Sequence, residues 1–161
     1  MKKISVVVIV ALLLTIVLVS ATFVVSASAE KPLPFRGSIE ALEIYQVNGP
    51  TMFVTATGTG EATHLGRYTV SYEVEVDLPT GTGSGLSAQY VAANGDSLFA
   101  EGSGQATPTD DPSVFVVVEI YTITGGTGRF AGATGSFTET RQVNIATGVT
   151  SGTMDGKIIL P

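Results

Sequence analysis

From Gly66 to Leu78 the chain alternates without a break. Tyr68, Val70, Tyr72, Val74, Val76 and Leu78 fall on one face; Arg67, Thr69, Ser71, Glu73, Glu75 and Asp77 fall on the other. Successive side chains of an extended strand point to opposite faces, so this segment reads as a half-buried antiparallel strand. The same period of two recurs after Phe35, and helical periodicity is absent. Strands are predicted near Ser38–Val47, Met52–Thr63, Gly66–Leu78, Leu86–Ala93, Ser97–Ala106, Ser113–Thr124, Gly135–Ile145 and Val149–Leu160. Eight evenly spaced strands without a helix leave a sandwich or a closed barrel.

The turns and the glycines narrow that choice. Asn94-Gly95 predicts a tight hairpin whose two central residues both take positive φ. Asn48-Gly49-Pro50 and Thr107–Pro112 are further connections, and Gly81-Thr82-Gly83-Ser84-Gly85 reads as a flexible hairpin loop. Gly58, Gly60, Gly102, Gly104, Gly152 and Gly156 lie inside predicted strands. Strand glycines mark bends and close backbone approach, which barrel closure requires. Gly58-Thr59-Gly60-Glu61-Ala62-Thr63 is echoed by Gly102-Ser103-Gly104-Gln105-Ala106-Thr107, so two hairpins are expected to bend at matching points. On the seventh strand, Ser136, Thr138, Thr140, Gln142 and Asn144 form a small polar face that suits a lumen or a packed interface. The fold expected from these features is an all-β closed barrel of eight antiparallel strands.

The first 29 residues read differently. Met1-Lys2-Lys3 is basic, Ile4–Val19 is almost wholly apolar, and Ala27-Ser28-Ala29 is a small-residue cleavage pattern. This is the grammar of a secretory signal peptide (1–29) ahead of a single domain (30–161), with a retained membrane anchor as the alternative. Loss of Lys2 and Lys3 with that segment leaves 6 basic against 14 acidic residues, a net charge of −8. Such a domain is a poor ligand for nucleic acid or for anionic membranes. There is no cysteine, so disulfides and thiol chemistry are excluded. A secreted or periplasmic location is expected.

The segment Gly125-Gly126-Thr127-Gly128-Arg129-Phe130-Ala131-Gly132-Ala133-Thr134-Gly135 follows an apolar strand and precedes another. It resembles the strand-to-strand signature of the allene oxide cyclase and dirigent-like barrel superfamily. The resemblance implies an eight-stranded antiparallel up-and-down barrel, calycin-like, with an apolar lumen and often assembled into homo-oligomers; a lipocalin-like barrel is its nearest rival. It also implies a role in binding, or in cofactor-free cyclisation or isomerisation, of a small apolar molecule. The corner is structural, with Phe130 expected to plug the barrel end. No motif carries the family's catalytic residues onto this chain. Gly126-x-Gly128-x-x-Ala131 fits a dinucleotide fingerprint only formally, because no helix begins there.

Glu119 is the sharpest chemical candidate. It shares a strand face with Phe115, Val117, Tyr121 and Ile123. A buried carboxylate can act as acid or base, and Tyr121 can donate a hydrogen bond beside it. Arg141 or Arg129 is the expected partner if Glu119 is part of a structural ion pair, since buried charges are normally paired. Tyr68, Tyr72, Tyr90 and Phe115 are candidates for a ligand cavity, with ordinary core as the simpler reading for the tyrosines. Glu73, Glu75 and Asp77 read as a solvated face, and a lone histidine, His64, without cysteine argues against a zinc or copper site. No cofactor is expected. Three roles follow from these features: an exported binding protein, a cofactor-free cyclase or isomerase, or an oligomeric surface protein with its lumen packed shut.

Overall fold

The computed structural model describes residues 31–161, so the expected signal peptide lies outside the described residues. Eight strands close on themselves in sequence order. They are β1 (Leu33–Asn48), β2 (Thr51–Ala62), β3 (Gly66–Asp77), β4 (Thr82–Ala92), β5 (Ser97–Pro108), β6 (Val114–Gly126), β7 (Thr134–Asn144) and β8 (Val149–Ile159). Every neighbouring pair is antiparallel, and β1 closes the ring on β8 through Leu33↔Ile158 to Leu42↔Val149. Closure leaves no free sheet edge along the strands.

Up-and-down topology gives the barrel two distinct ends. The β2–β3, β4–β5 and β6–β7 connections gather at one end with the start of β1 and the finish of β8; the other four connections form the opposite end. At the first end the lumen is filled. Tyr121 stacks on Phe137 with centroids 4.7 Å apart, and Phe137 also meets Phe35 at 5.2 Å and Tyr90 at 6.1 Å. Tyr90 in turn packs edge-on against Tyr68 at 5.4 Å. Phe130, in the 3₁₀ turn Gly128–Phe130 of the glycine corner, is fully buried and closes this end. Thr127 ties the corner to β5, its N–H donating to the Ser97 carbonyl (2.8 Å) and its Oγ1 accepting from the Ser97 N–H (2.9 Å).

The strand glycines are sockets for large inward side chains. Gly60 lies opposite Tyr68, Gly102 opposite Tyr121, Gly104 opposite Glu119, Gly152 opposite Arg141 and Gly156 opposite Phe137. A Cβ at Gly104 would stand 2.5 Å from Glu119 Cγ, and one at Gly156 would stand 2.5 Å from Phe137 Cβ. Each pair sets no side chain against a long one, which lets eight twisted strands close around bulky groups.

Four expectations are corrected. β1 begins at Leu33 rather than Ser38, because its first residues pair with β8 while β2 joins only from Gly37. Pro34 therefore sits where a missing N–H is tolerated. The Thr82–Gly85 stretch is not loop: it opens β4 and carries a bulge, with Gly85 at φ +62° and the register shifting between Gly83 and Leu86. At Asn94-Gly95 only Gly95 has positive φ (90°). Its N–H bonds the Ala92 carbonyl and the Ala92 N–H bonds the Asp96 carbonyl, both at 2.9 Å, so the hairpin is a type I turn followed by a glycine bulge. The small polar face of β7 points outward; Phe137, Glu139, Arg141 and Val143 face the lumen. Burial of Phe137 and Val143 fixes that phase, and the two charged residues follow them inside.

Candidate functional site

Three strands bring four charged side chains into the middle of the lumen. On β1, Glu43 takes an inward slot in the series Phe35, Ile39, Glu43. On β6, Glu119 lies between Val117 and Tyr121, and on β7 Glu139 and Arg141 lie between Phe137 and Val143. All four are at most 6 % exposed. A cluster of this kind persists in an apolar interior only if its members satisfy one another.

Arg141 is the hub. Its Nε and Nη2 donate to the two oxygens of Glu119 at 3.0 and 2.8 Å, the bidentate geometry that suits a guanidinium and a carboxylate. Its Nη1 donates to Glu43 and, at 3.1 Å, to Thr150 Oγ1. The Tyr72 ring lies 5.2 Å from the guanidinium carbon, close enough for a cation–π contact. Burial works against the Arg141 charge, but the hydrogen bonds and charge of Glu119 outweigh it and hold the guanidinium protonated.

Tyrosine hydroxyls supply the second layer. Tyr72 donates to Glu43 Oε1 at 2.6 Å and Tyr45 to Glu43 Oε2 at 2.7 Å. Tyr121 reaches Glu119 Oε2 at 3.4 Å. Burial raises all three phenols, so they remain donors throughout the physiological range. Glu139 is different. It is fully buried, neither carboxyl oxygen has a hydrogen-bond partner, and its nearest cation contact is Arg141 Nε at 3.6 Å. Burial, then the neighbouring Glu119 charge, push its pKa up to about 8.

Above this cluster, toward the end opposite the glycine corner, the lumen is open. A cavity of ≈ 330 Å³ has Glu43, Glu119 and Arg141 as its floor and Val47, Met52, Val54, Val76, Phe115 and Ile145 among its walls. It lies within the size range of small-molecule sites, with apolar walls and a few convergent polar groups. Among the described residues no group of three or more His, Asp and Glu side chains could hold a metal ion. The three carboxylates instead surround a guanidinium.

The structure brings Glu119 and Arg141 together at the cavity floor and puts Phe115 in its wall. Tyr72 is tied into the same cluster through Glu43. Tyr121 touches Glu119 from the aromatic side and does not line the cavity. Tyr68 and Tyr90 do not line it either: they belong to the aromatic plug, because they lie on the parts of β3 and β4 nearest the closed end. Arg129 is not a partner of Glu119; it donates to the Leu65 carbonyl at 3.1 Å and lies 4.0 Å from Asp96. Glu43, Tyr45 and Glu139 were not among the sequence candidates. A carboxylate occupying an apolar-phase slot of a strand was the signal, present at Glu43 and Glu139 as it was at Glu119.

Neither a protein-family model nor a curated protein matches the chain. Among the described residues no helix is long and apolar enough to cross a membrane.

Proposed function

We propose that this is an exported barrel of the allene oxide cyclase and dirigent-like kind that binds a small, largely apolar molecule in the open half of its lumen. The observation that carries the reading is the cavity itself. One half of the barrel is filled by Phe35, Tyr68, Tyr90, Tyr121, Phe130 and Phe137, while the other half is left open over a polar floor. Apolar walls supply affinity without direction, and a few fixed polar groups orient the guest. The secretory reading of residues 1–29 gives the proposed location, secreted or periplasmic.

The test is a titration with the neutral fluorophore N-phenyl-1-naphthylamine, alongside mass spectrometry of small molecules that co-purify with the protein. Binding to the unaltered protein is expected, and Val76→Trp, which fills the cavity wall, should abolish it while the protein stays folded. Equal binding by Val76→Trp would sink the reading.

A cofactor-free cyclase or isomerase is the second reading, favoured by Glu119 and Arg141 lining the cavity. Against it, the bidentate grip of Arg141 occupies both oxygens of the carboxylate that would serve as base. A surface protein with a packed lumen draws the least support, because half of the lumen is open.

A further inference from the structure

The basic residues of this barrel outside the lumen are sorted by end, and at the closed end Glu61, Asp96 and Asp155 accompany them. Arg36, Arg67, Arg129 and Lys157 all lie around the closed end, near the starts of β1 and β3, in the β6–β7 corner and near the finish of β8; Lys31 precedes β1. The open end carries Glu75, Asp77, Asp110 and Asp111, all exposed. Among the described residues no Lys or Arg accompanies them on that rim; the one basic group reached through the mouth is Arg141, on the floor.

The floor has the same bias. Arg141 is committed to Glu119, Glu43 and Thr150, so an incoming anion would have to displace carboxylates already bound to it. Counting Glu43 and Glu119 against Arg141 leaves one excess negative charge even with Glu139 neutral. Glu43 Oε2 accepts a single hydrogen bond, from Tyr45, and a carboxylate oxygen has room for a second. A buried carboxylate without its own cation is unfavourable, and a cationic guest removes that cost.

We infer that the cavity takes a cationic amphiphile: an apolar body packed between Val54, Val76 and Phe115, with a protonated amine received by Glu43 at the floor. This rests on the reading that the cavity binds small apolar molecules, and it names their head group. The acidic rim would draw such a cation in, raising its association rate at low salt. Carboxylate-headed molecules of the same length would meet the wrong sign at both rim and floor.

The experiment compares decylamine, decan-1-ol and decanoate at pH 7 by calorimetry on the unaltered protein. These share a chain length and differ in the charge of the head. Decylammonium should bind about tenfold or more tighter than either of the others, the worth of one charge-assisted hydrogen bond. Glu43→Gln should remove that advantage, bringing decylammonium binding down to the level at which the same variant binds decan-1-ol. Asp110→Asn with Asp111→Asn, two exposed changes that leave the cluster intact, should slow decylammonium association and flatten its salt dependence. Decanoate or decan-1-ol binding as tightly as decylammonium would overturn the inference and leave the apolar-cavity reading standing. Failure of all three to bind would overturn both.

Discussion

Glu119 and Glu139 stand directly opposite each other across β6 and β7, and Arg141 grips only one of them. Directly opposed carboxylates repel, and the two cannot share a single guanidinium equally. The asymmetry is resolved by protonation: Glu119 keeps its charge partner and Glu139 keeps its proton.

That proton links stability to pH. In the unfolded chain Glu139 ionises near its ordinary value of 4.5; in the fold its pKa is about 8. Below 4.5 both states hold the proton and the full stability is present. Between the two values the unfolded chain releases a proton that the folded chain keeps, so stability falls as pH rises, and the loss is complete above about 8. The total is on the order of a few kcal/mol. Glu139→Gln should flatten this part of the profile. Urea denaturation at pH 5 and pH 8 checks it: an unchanged difference between the two pH values in the variant would refute the assignment.

Removing the hub should be worse than removing the hub and its partners together. Arg141→Met strands Glu43 and Glu119 in an apolar lumen, at a cost of about 3–5 kcal/mol. Replacing all three, as Glu43→Leu, Glu119→Leu and Arg141→Met, leaves no buried charge to compensate there and should recover most of that loss. Denaturant midpoints of the single and triple variants decide it. Near-additive losses would mean that the cluster stabilises the fold by more than its own desolvation.

The socket glycines can be tested where they touch the site. An alanine at position 104 would put its Cβ 2.5 Å from Glu119 Cγ, with the Val118 carbonyl at 3.1 Å. Glu119 must then tilt away from Arg141 or the strands must part, costing about 1–3 kcal/mol. Gly104→Ala is expected to lower the melting temperature and to weaken amine binding at the cavity floor together. A melting temperature within error of the parent would show that the pairing of Gly104 with Glu119 is slack.

Much of this was legible in the sequence, for definite reasons. Alternation along Gly66–Leu78 fixes which face of β3 is buried, because a slip of one residue would expose Tyr68, Tyr72 and Val74. Glu119 stood out because its slot lies in an apolar series, and Arg141 followed as a partner from the next strand. Glu43 did not, although it contacts the same guanidinium from 98 residues away. Barrel closure makes that contact, by bringing β1 and β7 to either side of β8, and no local pattern encodes which carboxylates converge across a lumen. The division of that lumen was equally hidden. Tyr68 and Tyr72 share one face of β3, four residues apart, yet one enters the plug and the other joins the charged floor. Their roles depend on height along the barrel axis, which is set by the stagger of all eight strands.

The glycine corner supplies a final test, because it should govern stability without governing binding. Phe130 is fully buried at the closed end, its ring 4.9 Å below the Arg129 guanidinium, and the aromatic plug separates it from the cavity. Phe130→Ala removes a large side chain from a packed interior and should cost about 3–5 kcal/mol. The open cup is built by the opposite ends of the strands, so the folded fraction should bind N-phenyl-1-naphthylamine with parental affinity. Thermal melts give the first quantity, and titration well below the melting transition gives the second. If affinity fell along with stability, the two halves of the lumen would be coupled, and the plug would belong to the binding site rather than to its support.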